Sequence, residues 1–142
     1  VKGTDFEEGE QNQINDFLVA NKITVQPKES GLYYIENKAG TGDSPVTGDS
    51  VVINYIGRRL DGMVIHTNIE EVAKQYGIWE MYMEFEPYGF IVGDSALIKG
   101  LSEGVTYMKE GGSALVVLPS KLAFNDYIPV AYDIDLLKVI KK

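Results

Sequence analysis

Cysteine is absent from the chain, and histidine occurs once, at His66. Those two gaps remove disulfide scaffolds, thiol nucleophiles and nearly every zinc or haem arrangement built on Cys or His clusters. Basic residues are also scarce, 13 Lys plus Arg against 21 Asp plus Glu, for a net charge of −8. A surface of that sign repels polyanions, which excludes binding to nucleic acid or anionic lipid through phosphate neutralisation. No apolar run approaches the ~20 residues of a membrane span. No basic-then-apolar signal segment opens the sequence. What is present is an ordinary globular composition, 44% hydrophobic and 24% charged over 142 residues, enough for one domain with one sizeable core.

Motifs for nucleophilic or phosphate chemistry are missing as well. Gly-x-Ser-x-Gly does not occur, and Ser50, Ser95, Ser102, Ser113 and Ser120 read as turn or cap residues. The acids are scattered over turns and exposed faces rather than paired, and no calcium loop is spelled out. Gly40-Thr41-Gly42 lacks both the third spaced glycine of a dinucleotide fingerprint and the GK[ST] of a P-loop. No metal and no cofactor is implied.

Along the chain, Ile14, Phe17, Leu18 and Asn21 share one helical face, with Glu7, Glu8 and Glu10 near the positive N-terminal end. Asn21-Lys22 ends this helix, an extended stretch over 23–25 follows, and Pro27 to Gly31 breaks the chain. The expected organisation is an N-terminal helical arm over 1–28 and a main domain over 29–142. Strands are expected over 32–35, 51–59, 63–67, 90–92, 113–118 and 131–140, with Asp61-Gly62 as a tight hairpin turn. Between them, Ile69, Val72, Ala73 and Tyr76 repeat at helical spacing until Gly77. Residues 78–86 then alternate apolar with acidic, which suggests a half-exposed edge strand or flap, so that 69–86 forms an insertion. Asp94 or Ser95 is placed to cap a short helix carrying Leu97, Ile98, Leu101 and Val105 on one side. Antiparallel strands with a short helix among them make an α+β pattern.

Nine Tyr and five Phe remain for a reaction that needs neither nucleophile nor metal. Rotation about an X-Pro amide is one. The peptide C–N bond resists twisting by ~18–20 kcal/mol because resonance is lost midway. The twisted amide is less charge-separated than the planar one, so a water-stripped aromatic pocket favours it.

Val51-Val52-Ile53-Asn54-Tyr55-Ile56-Gly57 with Asp61-Gly62, Phe90-Ile91-Val92-Gly93, and the run Leu97 to Val105 resemble the FK506-binding-protein (FKBP) family of peptidyl-prolyl isomerases. The resemblance continues in order through Met108-Lys109-Glu110-Gly111, Leu118 to Phe124 and Tyr132 to Leu137, covering roughly residues 31–140. It implies an FKBP-like twisted antiparallel sheet wrapped around one short α-helix, with a proline pocket between them. By position, the implied catalytic residues are Tyr55, His66, Ile98 (through its backbone N–H) and Phe124. The implied substrate-binding residues are Ile65, Tyr88, Phe90, Leu97, Leu101 as the floor, Ile128 and Tyr132.

The departures from the family pattern matter equally. His66 stands where an Asp is usual and Ile65 where a Phe is. Leu101 replaces the Trp of many members, Phe124 replaces a Tyr, and the loop Asn125 to Pro129 is short. Two functions stay open: an isomerase for proline-containing polypeptides, with activity lowered by these departures, or a non-catalytic module binding polypeptide through the same groove. The resemblance also implies a role for the arm, because helical arms in bacterial envelope members serve dimerisation; a monomer with the arm packed back, or a weak dimer through it, is expected. The absent initiator Met and absent cysteine fit an exported protein of the cell envelope or periplasm, or an outer-membrane lipoprotein after signal removal, with a cytoplasmic chain as the alternative.

Overall fold

In the computed structural model, residues 2–94 and 96–142 are described, with side chains from Glu7 onward. A helix α1 (Lys2–Ala20) precedes strands β1 (Tyr33–Lys38), β2 (Ser50–Arg59) and β3 (Val64–Thr67), helix α2 (Glu70–Gln75), β4 (Tyr88–Ile91), α3 (Lys99–Val105), β5 (Ser113–Leu118), a 3₁₀ turn (Ser120–Leu122) and β6 (Val130–Ile140). The six strands form one sheet in the order β1-β5-β6-β2-β3, and β4 joins the same edge of β2 further up. Every pairing is antiparallel. This is the α+β, FKBP-like arrangement expected from the sequence.

β2 organises the fold because its sequence alternates. Val51, Ile53, Tyr55 and Gly57 are buried while the residues between them are only half-buried, the period-2 signature of a strand with one face on the core. α3 lies on that face, sealing Leu101 and Val105 against it. The helix comes close because two of its residues lack side chains: a Cβ on Gly100 would meet Leu118, and one on Gly104 would meet Val116. The opposite face of β1 and β5 carries Tyr33 and Val117, and these pack with Ile14, Phe17 and Leu18 of α1 in a second cluster. The apolar stripe read on the arm is therefore engaged by the chain's own sheet.

The hairpin turn forms where Asp61-Gly62 predicts it. Gly62 has φ of +99°, a conformation costly for other residues, and its N–H donates to Arg59 O at 3.0 Å. Elsewhere the sequence reading needs correction. Of the two readings of 78–86, edge strand or flap, the strand does not form, and the strand expected over 90–92 lies at Tyr88–Ile91. The acidic–apolar alternation over 78–86 has no strand to pair with, and Met81 and Tyr82 stand 85% and 79% exposed. The capping of α3 also differs. The helix starts at Lys99, its N-cap is Ile98 with no side-chain cap, and Asp94 lies too far upstream; Ser95 lies outside the described residues. Leu97 precedes the helix and is exposed rather than sharing the buried face of Leu101 and Val105.

β3 and β4 occupy different stretches of one edge of β2, so a gap is left between them. Asn68 fills it. Its Oδ1 accepts the Tyr55 N–H at 2.9 Å, and its Nδ2 donates to Ile53 O at 3.1 Å and Glu86 O at 3.0 Å. A single amide thus replaces missing ladder bonds and ties the end of the insertion to the strand. Asn68→Ala is expected to lower stability by ~1–3 kcal/mol through unpaired backbone groups. Urea unfolding checks this, and a loss near zero would mean that water satisfies the gap.

Candidate functional site

The inward residues of β2 set the site, since a residue directly opposite another across an antiparallel pair shares its face. Val51 and Ile53 are opposite Phe90 and Tyr88 on β4. Gly57 is opposite His66 on β3 and Tyr132 on β6. One face of four strands, β2 with its neighbours β3, β4 and β6, therefore collects Tyr55, His66, Tyr88, Phe90 and Tyr132. A register shift between Gly57 and Arg58 leaves Ile65 with no opposite residue on β2, and it too packs on the core. A Cβ at Gly57 would lie 2.5 Å from Tyr132 Cζ. The missing side chain there is what lets the Tyr132 ring lie across β2 toward His66.

The rings form a chain of tilted and edge contacts. Centroid separations are 5.2 Å for Tyr88–Phe90, 6.0 Å for Tyr55–Tyr88, 5.9 Å for Tyr55–Tyr132 and 4.7 Å for Tyr55–His66, within the range of favourable aromatic pairs. His66 is the polar link. Its Nε2 is 2.8 Å from the Tyr55 hydroxyl and its Nδ1 is 3.4 Å from that of Tyr132. A neutral imidazole has one donor and one acceptor nitrogen, and a tyrosine hydroxyl serves either. Burial pushes the Tyr55 hydroxyl up to about 12, with a smaller contribution from Tyr88, and raises Tyr132 as well. The same loss of solvent lowers the His66 pKa below its ordinary value, so the network is neutral at pH 7.

That shift has a sign for stability. With the folded pKa depressed, His66 adds nothing to the pH dependence above the unfolded value near 6.5, and stability is lost as pH falls below it toward the folded pKa. Melting temperatures across pH 4–8 should therefore drop more steeply below pH ~6.5 for the wild type than for His66→Asn. Parallel curves would contradict the burial argument.

α3 closes the other side. Ile98 and Leu101 are buried in the same cluster as Tyr55, Phe90 and Tyr132, with Ile65 and Tyr88 packed against it. Ile98 has extended backbone (φ −136°, ψ 152°) at the helix N-cap, so its N–H is outside the helical ladder. The neighbouring Leu97 N–H donates to the Tyr88 hydroxyl at 2.7 Å, tying the helix approach to β4. Leu101 and Tyr132 are 0% exposed, whereas Leu97 and Phe124 are 51% and 45% exposed, and Ile65, His66 and Ile128 are half-buried. The structure thus brings Tyr55, Phe90, Ile98, Leu101 and Tyr132 into one buried cluster. Leu97, Phe124 and Ile128 stand outside that cluster.

Among the serines, Ser102 Oγ accepts the Gly93 N–H at 2.6 Å and Ser120 Oγ donates to Glu10 at 2.6 Å; neither is arranged as a nucleophile beside a base. Among the described residues no His/Asp/Glu group is spaced to hold a metal. Sequence reasoning missed the structural roles of Gly57, Asn68 and Glu10. Only Gly57 left a signal, as a glycine inside an otherwise branched and aromatic strand.

Comparison with known proteins bears on the family and the fold. Residues 42–129 match the family model described as FKBP-type peptidyl-prolyl cis-trans isomerase. The short-type peptidyl-prolyl cis-trans isomerase of Methanocaldococcus jannaschii is 44% identical over 78 residues, which are 55% of this chain and 49% of that protein. The FKBP-type peptidyl-prolyl cis-trans isomerase FkpA of Aeromonas hydrophila is 31% identical over 141 residues, covering 92% of this chain and 47% of the relative. The chain spans about half the length of these relatives. The crystal structure of FkpA from Escherichia coli superposes with a TM-score of 0.68 at 24% identity, over 98% of this chain and 64% of that one, a likeness of fold.

Proposed function

Since the chain belongs to the FKBP-type peptidyl-prolyl cis-trans isomerase family, we propose that it catalyses rotation about X-Pro bonds of polypeptides by desolvating the amide over a Leu101 floor between aromatic walls. The observation that carries this reading is the convergence of Tyr55, Phe90, Ile98, Leu101 and Tyr132 between sheet and α3. The proline ring sits over Leu101, with Tyr55, Phe90 and Tyr132 as walls. The Ile98 N–H, free of the helical ladder, orients the substrate carbonyl. Leu97, Phe124 and Ile128 form the rim that excludes water once substrate is seated. No acid, base or nucleophile takes part: the walls disfavour the charge-separated planar amide more than the twisted one.

One observation favours the second reading, a non-catalytic polypeptide-binding module. The hydroxyls of Tyr55 and Tyr132 both face His66 rather than the rim, and Phe124 brings no hydroxyl of its own. A relaxation assay on a proline tetrapeptide separates the two. The wild type is expected to accelerate cis–trans exchange. A His66→Asp, Phe124→Tyr double variant, regaining a contact worth ~1–3 kcal/mol in the transition state, should be faster by roughly 5–150-fold. A wild-type rate equal to the uncatalysed one, with peptide binding retained, would establish the module instead. The arm's engagement with its own sheet supports action as a monomer.

A further inference from the structure

The N-terminal arm reaches the rim of the pocket through one buried carboxylate. Glu10 is 8% exposed although charged, and Ser120, from the far end of the chain, is 4% exposed. Oε2 of Glu10 accepts the Ser120 backbone N–H at 2.8 Å, and Oε1 accepts its hydroxyl at 2.6 Å. A carboxylate taken out of water persists where its oxygens are met by donors, and charge-assisted bonds of this length are among the stronger ones.

Ser120 is the anchor of the segment that carries Phe124. Its carbonyl accepts the Ala123 N–H at 2.9 Å and the Asn125 N–H at 2.8 Å, so Phe124 is bracketed by bonds to that single oxygen. Beyond it the backbone is held in a rarely populated form. Asn125 and Tyr127 have φ of +54° and +62°, and an aromatic residue at positive φ persists only where surrounding contacts hold it. Pinning Ser120 from behind fixes the start of this path, which runs through Phe124 to Ile128. The arm side of the clamp is itself anchored one turn along, where Ile14 packs on Tyr33 and Val117.

We propose that Glu10 is a positioning residue for the isomerase site, gripping Ser120 so that Phe124 and Ile128 are presented at the pocket rim. The arm is then a structural part of the working domain rather than a separable tether. The proposal rests on the isomerase reading for its kinetic consequence, but its structural content is measured without activity.

Glu10→Ala and Glu10→Gln, made in the full chain, are compared with Phe17→Ala, which weakens arm packing without touching Ser120. Amide hydrogen exchange at Ala123 and Asn125 is expected to quicken at least ~10-fold in Glu10→Ala, less in Glu10→Gln, which keeps an acceptor, and little in Phe17→Ala. The kcat for a proline tetrapeptide should fall roughly 3–10-fold in Glu10→Ala, more than KM rises, because the rim that excludes water is no longer presented while the floor is untouched. Unchanged exchange at Ala123 and Asn125 in Glu10→Ala overturns the proposal. So does an equal effect of Phe17→Ala at matched loss of stability, which would reduce Glu10 to ordinary arm packing. If the wild type shows no isomerase activity the functional reading fails, and the exchange comparison still decides the role of Glu10.

Discussion

Gly57→Ala is expected to lower stability by ~1–3 kcal/mol and to cut isomerase activity by at least ~10-fold, a large effect for one added methyl group. The new Cβ would stand 2.5 Å and 2.6 Å from Tyr132 Cζ and Cε2 and 2.9 Å from its hydroxyl oxygen. Those atoms do not belong to a free side-chain end. Tyr132 is fully buried, backed by Tyr55 and reached by His66. The ring therefore has to swing out of the floor, or β2 and β6 must separate along their longest pairing. Urea unfolding reads the first consequence and the proline-peptide assay the second. Pairing the change with Tyr132→Leu tests the cause: the double variant should be less destabilised than the sum of the singles, a coupling that independent sites do not show.

Leu101→Ala is the second large effect. The side chain is wholly buried at the foot of α3, in the cluster with Tyr55, Phe90 and Tyr132. Its removal loses transfer free energy and leaves a cavity that neighbours fill only partly, at ~2–5 kcal/mol. Collapse is hindered because α3 already touches the sheet through Gly100 and Gly104, with no room to move inward. Denaturant midpoints measure the loss. A cost below ~1 kcal/mol would mean that neighbouring side chains repack into the space, and that the cluster is less rigid than its burial implies.

The sheet was largely legible in the sequence because its signals are local. Alternation in Val51 to Gly57, the Asp61-Gly62 turn and the apolar run Ser113 to Leu118 each report their own conformation. The site was legible to the extent that it follows from strand register. Tyr55, Phe90 and Tyr132 meet because alternate residues of paired strands share a face, and Ile98 and Leu101 meet them because the helix must bury its apolar side. What could not be read depends on contacts between distant segments. The Asn68 amide substitutes for a strand, the Glu10–Ser120 clamp links opposite ends of the chain, and the exposure of Leu97 and Phe124 is set by where α3 and the 3₁₀ turn begin and end. Of the edge strand or flap read over 78–86, the strand is absent for a related reason. Alternation predicts a strand only where a partner edge is available, and β3, Asn68 and β4 already occupy that edge of β2.

Departures at His66 and Phe124 acquire a physical meaning in this arrangement. An Asp at 66 would place a charge beside two buried tyrosines, whereas the histidine, kept neutral by burial, satisfies both hydroxyls without one. The cluster is thereby uncharged, at the expense of the polar contacts whose return in His66→Asp, Phe124→Tyr is expected to raise the rate. It also commits those hydroxyls to internal partners.

If an X-Pro segment is received over Leu101 between Tyr55, Phe90 and Tyr132, as proposed, the backbone amides around those residues respond to it. Titrating the ¹⁵N-labelled chain with a capped Ala-Leu-Pro-Phe peptide tests this most directly. The largest amide shifts are expected at Ile98, Leu101 and Tyr132, together with exchange cross-peaks between the peptide's cis and trans forms at rates above the uncatalysed one. Shifts confined to the exposed segment around Met81 and Tyr82, with Ile98 and Tyr132 unmoved, would contradict it.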